Sequence, residues 1–194
     1  MDKEQSFWNW FVRHEDELMH FERDRESVFD ALSMELARVH PDLTFEFGPE
    51  QNQHREFVIS AGGIKAAFPA VESLVASAPD LPAWTVIAFR PRRTTINVIE
   101  LGAYRIDPDD VQYSLLRCDN KLGVYLFLPG YADGDASIAE IAYLFLDEAL
   151  GEYDVETKLG LIKMLPADIE VEGPRFPLRD LPAHFDEASA SLMG

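Results

Sequence analysis

A change of hydrophobic period at Pro41, followed by two successive strand, strand, helix, strand patterns, constrains this chain more than any other feature. Before Pro41, apolar side chains recur every three or four positions, at Trp8, Phe11, Leu18, Phe21, Leu32, Leu36 and Val39, the spacing of one helical face. As one rod this helix would run roughly 50 Å at a rise of about 1.5 Å per residue, longer than the roughly 40 Å diameter of a globule of this size. It is therefore expected to bend, break or project, and the gap in the stripe around His14 is the place for it.

After Pro41 the period shortens. "LTFEF" and "EFVIS", separated by the polar connection "GPEQNQHR", predict a hairpin; "PAVESLVASAP" predicts a helix with proline near its first turn, and "AWTVIAF" a strand. The order returns as "VQYSLLR" and "LGVYLFL", then "SIAEIAYLFLDEAL" with an N-cap candidate at Ser137 and a terminal Gly151, then "TKLGLIKML". The expected architecture is one α+β domain over 1–194. It comprises a long N-terminal helix (1–40), a ferredoxin-like ββαβ unit (41–93), a connection (94–109), a second such unit (110–166) and an irregular proline-rich tail (167–194). Antiparallel-rich sheet, in one piece or two, would carry helices on one face.

Composition narrows the function. The 35 acidic and 17 basic residues give a formal charge of −18, which repels nucleic-acid phosphates. The apolar runs are too short for a membrane span, the N-terminus lacks a basic leader, and the single Cys118 builds neither an internal disulfide nor a thiolate metal site. A cytoplasmic protein is expected, without nucleic acid or membrane as a partner and with no cofactor implied.

Against that charge, "AFRPRR" places Arg90, Arg92 and Arg93 within four positions. Parallel strands on either side of the first crossover would bring these arginines to the sheet rim that carries Gly62 and Gly63. Such a rim can hold a phosphate or carboxylate through backbone N–H groups and guanidinium forks. The competing reading is that the arginines neutralise the chain's own carboxylates. No Gly-rich phosphate fingerprint accompanies them. In "FWNWF", Phe7, Trp8, Trp10 and Phe11 exceed what one helix face buries, so either the core covers both sides or the patch meets a protein partner or a second copy.

Other clusters carry less. "HEDELMH" sets His14 and His20 on different helix faces and is not a zincin motif; Glu17, His20 and Asp24 share a face, which reads as a solvated surface, and no metal is assigned. Asp147, Glu148, Glu152 and Asp154 gather near a helix C-terminus, an electrostatically poor place for anions, which suggests a cation or a basic partner beside the default of a solvated face. There is no nucleophile elbow, and no serine or cysteine in an activating neighbourhood.

The segments "SFWNWF", "EFVISAGG", "AFPAVESLVASAPDLPAW", "AFRPR", "EALGEYDVETKLGLIKMLP" and "PLRDLP" resemble, in content and order, an uncharacterised family of stand-alone bacterial proteins. The resemblance spans most of the chain and implies a complete bacterial protein; it supplies no activity and no catalytic residue. The sequence thus points first to a non-catalytic protein-interaction or regulatory module, in the manner of an immunity or adaptor protein. The alternative is a protein or enzyme binding an anionic metabolite at Gly62, Gly63, Arg90, Arg92 and Arg93; a metal-dependent hydrolase using the acidic cluster ranks behind both.

Overall fold

The helical stripe of the first forty residues becomes three helices and not one rod: α1 (Lys3–Arg13), α2 (Glu15–Met19) and α3 (Arg25–Val39). The computed structural model describes residues 2–192, and among these there are seven α-helices and three sheets. The first break falls at His14, whose ring donates from Nδ1 to the Trp10 carbonyl at 2.8 Å, beside its own backbone N–H at 3.2 Å. The second spans His20–Asp24, a 3-10 turn that ends where the Asp24 carboxylate accepts the Ser27 N–H at 3.5 Å and starts α3. Both bends let α1, α2 and α3 bury Phe11, Leu18 and Leu32 in one core, which a straight helix cannot do.

Where length alone suggests one domain, the chain divides into two compact units, Met1–Arg90 and Pro91–Gly194, and the buried apolar side chains form a cluster in each. In the first, β1 (Thr44–Phe47) pairs antiparallel with β2 (Arg55–Ser60), and α4 (Phe68–Ala76) leads to β3 (Trp84–Ala88), which runs parallel to β2. Central β2 is buried from Phe57 through Ser60, as a strand covered on both faces must be.

In the second unit a small hairpin of β4 (Ile99–Leu101) and β5 (Tyr104–Ile106) precedes β6 (Gln112–Cys118), which pairs antiparallel with β7 (Lys121–Leu128). Then come α5 (Ala136–Leu150), α6 (Glu152–Lys158), β8 (Leu159–Pro166) parallel to β7, and β9 (Phe176–Pro177) beside β6. In both sheets the parallel strands are immediate neighbours. The split crossover of a ferredoxin-like unit separates them by another strand, so the register does not confirm that expectation.

Three further local readings change. The N-cap of α5 is Asp135 and not Ser137: its carboxylate accepts from the amides of Ser137 and Ile138, both at 3.1 Å, so Ser137 lies inside the first turn. Gly151, at φ 83, ends α5 and starts α6, a helix that the strand reading of "TKLGLIKML" does not contain. The tail is not irregular throughout, since α7 (Leu181–Leu192) buries Leu181 and Phe185. Pro182 lies in its first turn, where a missing N–H costs nothing.

Candidate functional site

Parallel pairing of Arg55 through Ile59 with Trp84 through Ala88 brings the ends of β2 and β3 to one edge. Gly62 and Gly63 follow β2 there, and Arg90 follows β3. The glycines sit at φ 57 and 78, a conformation that only glycine adopts without strain, and the Ile64 N–H closes the turn on the Ala61 carbonyl at 3.0 Å. The Gly62 N–H donates inward, to Ser60 Oγ at 2.9 Å. Phe89 takes a left-handed φ of 64, uncommon for a bulky side chain. Its ring lies tilted against that of Phe68, 4.5 Å between centroids, its N–H reaches the Ile59 carbonyl at 2.8 Å, and the turned chain delivers Arg90 Nε to Glu46 at 2.5 Å.

Arg92 and Arg93 belong to the other unit and are engaged there. Arg92 holds both carboxylate oxygens of Asp186 at 3.1 and 2.9 Å, lies 3.6 Å from Asp154, and donates from Nε to the Leu150 carbonyl at 3.4 Å. A guanidinium at the last carbonyls of α5 suits the helix dipole. The Arg93 N–H donates to the Glu148 carbonyl at 2.7 Å, while the Glu148 carboxylate accepts the Asn97 N–H at 2.7 Å. The acidic cluster predicted at this helix end is thus partnered from within: Asp154 also accepts Lys158 Nζ at 2.8 Å, and Asp147 and Glu152 are buried and partnered.

The aromatic N-terminal patch is mostly core, which corrects the expectation of a partner surface at Phe7, Trp8 and Phe11. Their exposures are 1%, 3% and 0%. Phe57 stacks on Phe11 at 5.0 Å, Trp84 meets it edge-on at 5.1 Å, and Trp8 Nε1 donates to the Leu74 carbonyl at 2.9 Å. Strand and helix cover α1 from two sides, so a wide aromatic face finds room. Trp10, half-buried, stacks on His14 at 4.6 Å. His20 donates from Nδ1 to the Asp16 carbonyl at 2.9 Å, Asp24 caps α3, and no cluster of three potential metal ligands occurs among the described residues.

An open cleft of about 460 Å³ lies in the first unit. Glu15, Asp16 and His20 wall it on one side, Glu50 and Gln53 on the other, and Met19 and Ala83 give it an apolar floor. Asp16 meets His20 at 3.2 Å and Arg23 at 3.6 Å; Glu15 and Glu50 form no ion pair among the described residues. Both walls hang on Arg55, whose side chain is 2% exposed. Its Nε donates to the Met19 carbonyl at 2.9 Å and its NH1 to the Gly48 carbonyl at 2.9 Å; NH2 pairs with Glu22, and the guanidinium lies 4.6 Å from the centre of the Phe21 ring. Sequence reasoning missed this site, because Arg55 and Glu50 sit in a run that reads only as a polar connection. The one available signal was an arginine two positions ahead of the four apolar or small residues, Phe57 to Ser60, of a buried strand. None of the described helices is long and apolar enough to cross a membrane. No protein-family model, curated protein or solved structure matches this chain.

Proposed function

We propose that this chain is a non-catalytic protein-interaction or regulatory module that engages a basic protein through its acidic surface, at the cleft of Glu15, Asp16 and Glu50. One observation carries the reading. Arg90 and Arg92 of "AFRPRR" are taken up by Glu46, Asp154 and Asp186 inside their own units, which leaves the acidic surplus on the surface for something else. A carboxylate-walled cleft with an apolar floor suits a lysine or arginine side chain, an aliphatic stem bearing a cationic head. The bacterial and cytoplasmic setting expected from sequence accords with such a role.

The test is carboxylate-to-lysine cross-linking in native lysate. Cross-links from Glu15, Asp16 or Glu50 to one recurrent protein are expected, weakening at about 0.5 M salt, where charges are screened within a few ångströms. They should vanish in the Glu15→Lys/Glu50→Lys variant. If that variant captures the same protein equally well, the cleft reading is wrong. A second reading, an anionic metabolite at the glycine and arginine rim, is favoured only by the register that sets Gly62, Gly63 and Arg90 at one edge. It predicts thermal stabilisation by phosphate or a dicarboxylate that Arg90→Ala abolishes.

A further inference from the structure

The four-stranded sheet of the second unit runs β8-β7-β6-β9, so β8 has a neighbour on one side only. Of the edge strands in the two larger sheets it is the longest, eight residues against four for β1, five for β3 and two for β9. Among the described residues, the one backbone hydrogen bond of β8 beyond its pairing with β7 is at its end, where the Pro166 carbonyl accepts the Ile169 N–H at 3.2 Å. Soluble proteins normally blunt such an edge with charge, proline or a bulge. Here a bulge at Gly160 and Pro166 mark the two ends of the regular edge, and between them Lys163, the strand's single charged residue, leans to within 5.7 Å of the Tyr125 ring on β7. Ile162 and Met164 pack toward the core of the unit, which fixes the strand and presents its free edge as a rigid template. Directly after it come Asp168, Glu170 and Glu172, all exposed and without an ion pair among the described residues.

We infer that β8 is a docking edge for an extended segment of a basic protein, which adds a strand antiparallel to Leu161–Leu165 and sets lysines or arginines against Asp168, Glu170 and Glu172. Open backbone groups supply the hydrogen bonds of strand addition, antiparallel pairing is the stronger mode, and the three carboxylates select the sign of the occupant. A second copy of this chain is the wrong occupant, since each copy carries −18 and like charges oppose the approach. This inference rests on the interaction reading above and names a second contact for it.

A nine-residue peptide of three arginines followed by alternating threonine and valine serves as the probe. It should slow amide exchange within β8 and leave β1 and β3 unchanged. Charge reversal at Asp168, Glu170 and Glu172 to lysine should weaken binding about tenfold or more, and the same peptide N-methylated at alternate amides should not bind. Unchanged β8 exchange, or equal binding of the N-methylated peptide, would overturn the inference; so would a dimer in sedimentation whose contact maps to β8. Cross-links at Glu15 and Glu50 that persist while β8 stays silent would sink this docking edge and leave the interaction reading intact. Loss of both would sink both.

Discussion

Replacing Arg55 by methionine tests the organisation of the first unit most directly. The substitution removes the donors of the Met19 and Gly48 carbonyls. An acceptor left without its partner in a buried place costs about 1–3 kcal/mol, and loss of the cation over Phe21 adds about 0.5–1 kcal/mol. Glu22 is 57% exposed, so water replaces its partner at little cost. Against this, methionine carries no charge to desolvate, a relief of a few kcal/mol. The balance is a loss of about 2 kcal/mol. Arg55→Lys should lose nearly as much, within about 1 kcal/mol of the methionine variant, because one ammonium cannot span three acceptors that a planar fork reaches. The assay isolates the unit by itself: Trp8, Trp10 and Trp84 all lie before residue 90 and all six tyrosines lie after it, so tryptophan fluorescence in urea reports the first unit. With a slope of about 1–1.5 kcal/mol per molar for a segment of this size, the midpoint should fall by roughly 2 M. A methionine variant within about 0.5 kcal/mol of the parent, or full rescue by lysine, would refute the account of Arg55 as the bridge between the cleft walls.

Tyr113 is fully buried, with its hydroxyl 2.5 Å from His184 Nδ1 on α7; Tyr113→Phe should cost about 1 kcal/mol and speed amide exchange in α7. Burial, and then the nearby Asp180 charge, hold the Tyr113 hydroxyl far above its ordinary ionisation range. Its neutral form therefore stabilises the fold below about pH 10, and that contribution is lost as pH rises further; absorbance titration should show a tyrosine ionising only as the protein unfolds. Partial desolvation pushes the Glu22 carboxyl up, but its own backbone N–H and Arg55 outweigh this and leave it below the usual carboxylate range. Its contribution is present above that range and lost as pH falls through the lowered value, so Glu22→Gln should flatten the acid limb of the urea midpoint against pH. Gln53 is held at φ 61 in the β1–β2 turn, and Gln53→Gly should raise the melting temperature, with a gain of about 0.5–1 kcal/mol.

What could be read from sequence was what local periodicity and turn chemistry decide. The strands Thr44–Phe47, Arg55–Ser60, Gln112–Cys118 and Lys121–Leu128 announce themselves by alternation and flanking turns, and the break at His14 by a gap in a stripe. What stayed hidden depends on partners distant in the chain. Arg55 is polar in a polar run, and only folding shows that the carbonyls it meets are those of Met19, at the end of α2, and Gly48, just past β1. The pairing of Arg92 with Asp186 spans 94 residues, so no window on the sequence joins them. Helix α7 was missed because Pro182 reads as a breaker unless it stands in a first turn. The aromatic cluster of α1 misled for a related reason: the number of faces a helix buries is set by Phe57, Trp84 and Leu74, which arrive from elsewhere.

Charge then separates a functional acidic surface from one that serves solubility alone. Each unit carries about twice as many acids as bases, and the ion pairs among the described residues are mostly exposed, worth about 0–1 kcal/mol each. Salt acts on the isolated protein in two opposed ways, screening those pairs and screening the repulsion of the surplus. The pairs are few and weak beside the uncompensated acids, so repulsion dominates and modest salt should stabilise both units. A basic partner held by the same surplus must respond in the opposite sense, with affinity falling steadily over the salt range in which the free protein gains stability. Opposite slopes would identify the acids as a binding surface. Parallel slopes, with complex and fold both indifferent to salt, would mean that the surplus keeps the protein soluble and that any contact is made by apolar and backbone groups alone, which would count against the carboxylates of the cleft and of the β8 edge alike.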